Sequence, residues 1–237
     1  DYSTMLRVMK NTVIFALLGY LVAPLSMIFA IALNEIKGSG LRRTIQTITT
    51  FPNFISWVIG YALAFQFFSY DGILSNLLLS WGLTENPTSL LASKNAVYVF
   101  QTCMGLWKGL GWSAVIYLAA IAGIDQEEFE AAAIDGASRM QKIRYITIPS
   151  LMPTFIVLML MQVGSFVGTG LDQYLVFYNG MVADKIETLD LYVYRATLLR
   201  SDYSYGTAIG MLKSLISIGL MFGMNGLSKK IRGNSIF

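Results

Sequence analysis

Five long stretches of this 237-residue chain are almost free of charged side chains, and they restrict its possible folds more than any other feature. Three of the stretches contain no Asp, Glu, Lys or Arg, and each of the other two contains a single lysine. A helix of about 20 apolar residues crosses the hydrocarbon core of a bilayer, so each stretch is long enough to span a membrane. The stretches are 11–34, 44–70, 145–171, 95–124 with Lys108, and 203–228 with Lys213.

The composition supports a membrane protein. Hydrophobic residues make up 55% of the chain and charged residues only 13%, and the mean hydropathy is +0.57, above the balance of a soluble domain. Buried helices of a soluble core can also be apolar, but five such stretches in one chain argue against that alternative. The sequence therefore predicts an all-α, polytopic membrane bundle that forms a single domain over 1–237. The predicted spans are about 11–34, 44–70, 95–124, 153–176 and 206–227.

A charged segment separates the third predicted span from the fourth. Its start is typical of a helix N-terminus, because Asp125 can cap the helix, Glu128 can complete a capping box, and acidic side chains complement the helix dipole. Gly136 readily adopts the left-handed conformation that ends helices, and Ser138 with Gln141 can form a second capping box. The sequence therefore predicts a short helix, a bend and a second helix.

The pattern Glu-Ala-Ala, two residues, Asp-Gly-Ala and later Ile-x-x-Pro lies within this segment, 125–152. It resembles the EAA signature of permeases of binding-protein-dependent ABC importers. The stretches LNEIKGSGLRRTIQT at 33–47, FPNFISW at 51–57 and GLGWSAVIYLAAIAGID at 109–125 look like the maltose-type, polysaccharide-transporting branch, so the resemblance covers nearly the whole chain. One departure is Pro-Asn-Phe at 52–54, where that branch is expected to have Pro-His-Phe. The residues that match the signature are Glu130, Ala131, Ala132, Asp135, Gly136, Ala137, Ile146 and Pro149.

The resemblance implies the fold of a type I ABC importer permease and a role for 125–152. In that family the segment is a cytoplasmic coupling helix, which docks into a groove of an ATP-hydrolysing subunit. The implied partners are two ATP-binding subunits that hold ATP and Mg²⁺, a second homologous permease chain, and an extracytoplasmic solute-binding protein that delivers a saccharide. The loop 177–205 either receives that binding protein or is a solvated connector. The implied location is the bacterial cytoplasmic membrane, among lipid, and no nucleic-acid partner is expected.

The chain itself offers little chemistry for an enzyme. It has no His and one Cys, Cys103, which excludes Ser-His-Asp triads, His or Cys zinc sites and an internal disulfide. No GxxxxGK[ST] phosphate loop is present. We therefore expect no catalytic residue, no metal site and no cofactor on this chain. A secondary carrier or channel is the alternative to the permease, although Asp172 is the only acid near the interior of a span and no inverted repeat is evident.

A transport path needs polar side chains within the spans, because an unpaired polar group that faces lipid is costly. Polar side chains share helix faces in three spans, and nearby aromatic side chains can stack on sugar rings. Packing of helix against helix is the alternative for the small and hydroxyl-bearing residues. We also predict that Lys108 and Lys213 line the path and favour an acidic saccharide such as a uronate oligomer. The path candidates are Gln101, Trp107, Lys108, Trp112, Tyr117, Gln162, Ser165, Thr169, Asp172, Gln173, Tyr174, Lys213, Ser217 and Asn225.

The distribution of Lys and Arg indicates an orientation. Loops on the side of the charged segment are richer in these residues than loops on the other side, so the charged segment is expected to be cytoplasmic. Five spans then place the first residue outside, which is unusual for the family, and the chain begins with Asp rather than Met. We therefore expect one further span to precede this sequence.

Overall fold

The computed structural model describes residues 2–164, 170–199 and 201–232, and these residues form helices and connecting turns without a strand. Five helical stretches among these residues, two of them made of consecutive helices, are long and apolar enough to cross a membrane. The predicted all-α membrane fold is confirmed. The helices are α1 (Tyr2–Asn34), α2 (Ser39–Thr50), α3 (Trp57–Phe68), α4 (Ile73–Ser80), α5 (Val97–Ala122), α6 (Gln126–Ile134), α7 (Arg139–Lys142), α8 (Ile148–Gly164), α9 (Leu171–Phe177), α10 (Ala183–Ile186), α11 (Leu189–Tyr194) and α12 (Tyr203–Arg232).

An interruption divides the stretch 44–70, which the sequence predicted as one span. The chain leaves α2 through a 3-10 turn, Phe51–Phe54, and α3 begins after Ser56, whose hydroxyl caps the new helix. Pro52 accounts for the interruption, because it has no N–H to donate to the preceding turn. The stretch that is long and apolar enough to cross a membrane here is Trp57–Ser80.

The charged segment contains the predicted helix, bend and second helix, with one difference at its start. The Asp125 carboxylate accepts a hydrogen bond at 3.0 Å from the N–H two residues later, and does not form the predicted capping box with Glu128. Gly136 follows α6 with a φ of +75°, the left-handed region that favours glycine. The second capping box is confirmed. The Gln141 N–H donates to the Ser138 hydroxyl at 3.4 Å, and the Ser138 N–H donates to the Gln141 side-chain carbonyl at 2.7 Å.

A π-helical turn, Ile143–Thr147, joins α7 to α8. In this turn the Ile148 N–H donates to the Ile143 carbonyl, one residue further back than in an α-helix. Pro149 follows and cannot donate to the carbonyl four residues before it, and Pro153 removes another such bond inside α8. The backbone that connects the charged segment to α8 is therefore helical but lacks several regular hydrogen bonds.

The chain divides into two compact units, each with its own apolar core. The core of unit 1 is rich in aromatic side chains and includes Phe15, Phe100 and Phe177. The core of unit 2 is mainly aliphatic and includes Leu33 and Leu151. Unit 1 comprises 1–19, 55–105 and 164–220, and unit 2 comprises 20–54, 106–163 and 221–237.

Gly111 in α5 allows the backbone at Thr49 to approach closely. A Cβ atom at position 111 would lie 2.3 Å from the Thr49 carbonyl carbon and oxygen, which is closer than atoms can pack. We expect Gly111→Ala to force α2 away from α5 and to lower the free energy of unfolding by about 1–3 kcal/mol, as overpacking does. Thermal unfolding of the purified protein measures this loss.

Gly109→Ala is the matched control, because a Cβ atom at position 109 has no neighbour within 4 Å. This control should unfold at the wild-type temperature or above it, since Ala favours the helix more than Gly does. Equal melting temperatures for the two variants would show that the close approach of Gly111 to the Thr49 backbone does not affect stability.

Candidate functional site

The candidate coupling segment presents most of its motif at the surface of unit 2. None of the residues of α6 is buried, and its first turn carries Glu127 and Glu128, where the helix dipole favours negative charge. This exposure makes the motif available for contact with another protein. Exposed are Glu130, Ala131, Asp135, Gly136 and Pro149, and half-buried are Ala132, Ala137 and Ile146.

Two large apolar side chains protrude from the same segment. Ile134, the last residue of α6, is 87% exposed, and Met140 in α7 is 70% exposed. The sequence analysis did not select either of them. The sequence did carry a signal for Ile134, because it is an isoleucine at the end of a short helix that is otherwise rich in Ala and Glu. Such side chains can anchor a short helix in an apolar groove of a partner.

The base of the segment packs into the core of unit 2. Ile143 and Ile148, at the two ends of the π-helical turn, contact the cluster that contains Tyr117, Leu118 and Leu151. Tyr117, a predicted path residue, is only 3% exposed and is therefore part of this core. Because packed cores deform little, a displacement of α7 has to move α5 and α8 as well.

Two side chains of α5 meet the interruption between α2 and α3. Lys108 donates from Nζ to the Pro52 carbonyl at 3.1 Å and to the Asn53 carbonyl at 3.0 Å. Trp112 lies edge-on to Phe54, with ring centroids 5.9 Å apart and ring planes at 89°. Two predicted path residues therefore contact the same irregular segment of backbone.

The aromatic side chains at this interruption are exposed. Phe54 is 72% exposed, Phe51 is 63% and Trp112 is 51%, while Trp107, the residue before Lys108 in α5, is 40% exposed. Exposed aromatic rings can pack against the apolar C–H faces of sugar rings. The sequence analysis did not select the two phenylalanines, although their position beside a proline inside an uncharged stretch was an available signal.

Two predicted path residues in unit 1, Gln101 and Gln173, bond to each other. The Gln173 Nε2 donates to both the backbone carbonyl and the side-chain carbonyl of Gln101, each at 2.8 Å. The two residues are only 3% and 7% exposed. Tyr174 is also buried, with its ring centroid 4.6 Å from that of Phe15. These contacts join α9 to α5 and α1 within unit 1.

The remaining path candidates have varied surroundings. Lys213 forms an ion pair with Asp190, whose side chain is 15% exposed, so the charge of this lysine is balanced within the chain. Asp172, in the first turn of α9, is exposed. Half-buried are Gln162 and Ser217, and outside the described residues lie Ser165, Thr169 and the side chain of Asn225.

A cluster of ion pairs in unit 1 was not identified from the sequence. The Glu187 side chain, 8% exposed, accepts hydrogen bonds from the guanidinium groups of Arg7 and Arg195, each at 2.8 Å. Asp184 accepts from Arg7 at 2.7 Å and from Lys94 at 3.1 Å. Arg7 and Lys94 lie far in sequence from both carboxylates, so no local pattern could have revealed their pairs, and only Arg195 is near its partner, eight residues after Glu187.

This cluster borders a polar cavity of about 450 Å³ and fastens α1 to α10. The Asn11 side-chain amide donates to the backbone carbonyls of Asp184 at 2.9 Å and Glu187 at 3.0 Å. The hydrogen bond and charge of Lys94, together with Arg7, hold the pKa of Asp184 below its usual value. The contribution of Asp184 to stability is therefore present above its unfolded pKa of about 3.9 and is lost as the pH falls through the lower folded value.

A family of transport subunits matches most of the chain. The family described as "Binding-protein-dependent transport system inner membrane component" matches residues 16–233. This chain belongs to that family. It is a permease of an ABC importer, as the EAA motif predicted, and the alternative of a secondary carrier or channel is not favoured.

Curated relatives of this permease include saccharide transporters. Protein LplB of Bacillus subtilis (strain 168) is 36% identical over 98% of this chain and 73% of its own length. The polygalacturonan/rhamnogalacturonan transport system permease protein YteP of the same organism is 33% identical over 99% of this chain and 73% of its own length.

Solved structures are also similar to the permease. The crystal structure of a bacterial ABC transporter involved in the import of the acidic polysaccharide alginate superposes with a TM-score of 0.92 at 29% identity, covering 97% of this chain and 80% of that one. A bacterial alginate ABC transporter in complex with alginate pentasaccharide-bound periplasmic protein has a TM-score of 0.91 at 29% identity, covering 98% of this chain and 80% of that one.

The Glu187 carboxylate is expected to be the main support of the ion-pair cluster in unit 1. Glu187→Ala leaves Arg7 and Arg195 without their shared acceptor, and we expect the free energy of unfolding to fall by about 1–3 kcal/mol. Thermal unfolding of the purified permease measures the change. Asp184→Asn, at an exposed carboxylate, is the control and should lower the melting temperature less. The reverse order of the two variants would contradict this role of Glu187.

Proposed function

We propose that this permease is one of two membrane subunits of an ATP-driven importer of acidic oligosaccharides or polysaccharides. ATP and Mg²⁺ are bound, and ATP is hydrolysed, on two separate ATP-binding subunits. A solute-binding protein delivers the saccharide, and a second homologous permease completes the path. The observation that carries the proposal is the exposed EAA motif on a segment whose base packs into the core of unit 2. The membership of the family and the similarity to the alginate transporter in complex with its periplasmic protein support it.

Coupling depends on the segment 125–152. In the proposed complex α6 enters a groove of an ATP-binding subunit, with Ile134 as an apolar anchor and Glu130 paired with a basic side chain of the partner. When the ATP-binding subunits close on ATP, they displace α6 and α7 together. Ile143 and Ile148 carry this displacement into the core of unit 2, and α5 moves with it.

The saccharide contacts the path at the interruption between α2 and α3. Irregular backbone at membrane depth is tolerated only where it is covered by protein or borders water, and the exposed Phe54 and Trp112 rings offer a stacking surface there. The other proposed contacts on this side are Phe51 and Trp107. The buried candidates Gln101, Tyr117, Gln173 and Tyr174 support the path through packing, while Gln162, Ser165, Thr169, Asp172, Ser217 and Asn225 stay candidates for the path itself.

The acidic nature of the saccharide is proposed from the relatives. YteP is named for polygalacturonan and rhamnogalacturonan, and the similar solved transporters import alginate. The two lysines that we expected to select an acidic sugar have contacts within the chain. Lys108 bonds to two backbone carbonyls, and Lys213 is paired with Asp190. These contacts give no support to a choice of substrate by either lysine.

The proposed location is the bacterial cytoplasmic membrane, with 125–152 on the cytoplasmic side. The five apolar helices and the family of inner membrane components support a multi-pass protein of that membrane. The excess of Lys and Arg in loops on the side of 125–152 supports the orientation.

Ile134→Asp tests the docking of α6. A carboxylate at this position would have to enter an apolar groove, so we expect the ATP-binding subunits to stop copurifying with the permease. ATP-dependent uptake of saccharide into vesicles should fall with it, because uptake requires the docked ATP-binding subunits. Leu83→Asp is the control, because Leu83 is also exposed, at 65%, but lies in unit 1. Normal copurification and uptake by Ile134→Asp would contradict the proposed role of Ile134 in docking α6.

Trp112→Ala tests the stacking surface. Loss of one aromatic contact is worth about 0.5–1.5 kcal/mol, so we expect the KM for the saccharide to rise roughly two- to tenfold. Uptake by the reconstituted importer measures KM. Trp112→Phe should keep most of the affinity, and Trp81→Ala, at a tryptophan that is 69% exposed in unit 1, should change nothing. An unaltered KM in Trp112→Ala would place the saccharide elsewhere.

A further inference from the structure

We propose that Lys108 is a positioning residue, which holds the interruption between α2 and α3 so that Phe54 stays opposite Trp112. In this role the ammonium group acts on the backbone of the chain and does not recognise the charge of the saccharide. The inference rests on the proposed function only for its consequence in transport. The structural part concerns unit 2 alone and can be tested without any substrate.

The first support is the register between α5 and the end of α2. Gly111 follows Lys108 by three residues and Trp112 follows it by four, so the three residues share one face of α5. Gly111 faces the backbone at Thr49 so closely that no side chain fits between them. Lys108 and Trp112 contact the residues that follow, within the turn Phe51–Phe54. A single face of α5 therefore contacts the end of α2 and three residues of the interruption, Pro52, Asn53 and Phe54.

The second support is the chemistry of the interruption. Backbone carbonyls released from regular helical bonding need other donors, and this need is strict in an apolar environment. An ammonium group has three donors and no acceptor, and Lys108 directs it to the carbonyls of Pro52 and Asn53 at 3.1 and 3.0 Å. One lysine side chain thus donates hydrogen bonds to two neighbouring carbonyls.

The third support is the depth of these contacts. Trp112 and Lys108 precede the end of α5 at Ala122 by ten and fourteen residues. At about 1.5 Å per residue, they lie about 15 and 21 Å along the helix from that end, so with α5 as a membrane span both lie inside a hydrocarbon core of about 30 Å and not at its edge. A lysine is retained at this depth only for a specific interaction. The two carbonyls provide that interaction.

A direct contact between Lys108 and a carboxylate of the substrate is the competing role, and three substitutions separate the two. Lys108→Met removes both charge and donors, Lys108→Gln removes the charge but keeps donors, and Lys108→Arg keeps both. If Lys108 is a positioning residue, the Lys108→Gln and Lys108→Arg variants should retain most of the transport activity that Lys108→Met loses. Charge recognition predicts that Gln fails as completely as Met.

The structural readout is the distance between spin labels at Thr47→Cys in α2 and Ile116→Cys in α5, in a Cys103→Ser background. Both label sites are exposed and belong to unit 2. With the permease in lipid nanodiscs, we expect Lys108→Met to add a second, longer distance, and Lys108→Arg and Lys108→Gln to keep the single wild-type distance. Lys94→Met, a lysine of unit 1, is the control and should leave the distance unchanged. A single unchanged distance in Lys108→Met would overturn the proposal.

The functional readout is uptake of trigalacturonate by the reconstituted importer. We expect KM to rise roughly two- to tenfold in Lys108→Met, as in Trp112→Ala, and to stay near the wild-type value in Lys108→Gln. Loss of uptake in Lys108→Gln with an unchanged label distance would assign Lys108 to charge recognition and overturn the proposal. Failure of the wild type to take up trigalacturonate would count against the proposed substrate class, while the label distances would still decide the role of Lys108.

Discussion

The proposed coupling through unit 2 depends on the buried cluster around Tyr117 and Leu151. It receives Ile143 and Ile148 from the base of the coupling segment, and it holds the cytoplasmic half of α5 in the proposed orientation. Because a close-packed core transmits displacement with little deformation, the exposed motif and the interruption beside Trp112 are joined mechanically. Without this cluster, movement of α6 would be absorbed by the irregular backbone near Pro149.

Polar groups inside the apolar stretches are mostly satisfied by other groups of the same unit. Gln173 bonds to Gln101, Lys213 pairs with Asp190, and Lys108 bonds to carbonyls. This pattern follows from the cost of an unpaired polar group in a membrane. Among the groups of unit 2 that remain exposed are the aromatic rings at the interruption between α2 and α3, which is why we propose them as contacts of the saccharide.

The sequence predicted the helix, bend and second helix of 125–152 because their signals are local. Gly136 and Ser138 act within a few residues of their partners, so spacing alone was sufficient there, whereas Asp125 caps the N–H of Glu127 and does not form the predicted box with Glu128. Contacts between distant residues could not be predicted in this way. A lysine in an uncharged stretch indicates a polar contact, but a single sequence does not show that the contact of Lys108 is the backbone at Pro52. The same limit applied to Glu187 and Arg7, which are 180 residues apart in sequence.

Amide hydrogen exchange of the permease, with and without its ATP-binding subunits, tests most directly whether the motif segment is the site of coupling. Docking buries α6 and α7, so exchange at 126–142 should slow in the assembled importer. Exchange in α4, Ile73–Ser80, should be the same in both samples. Equal exchange at 126–142 with and without the ATP-binding subunits would contradict the coupling role of this segment.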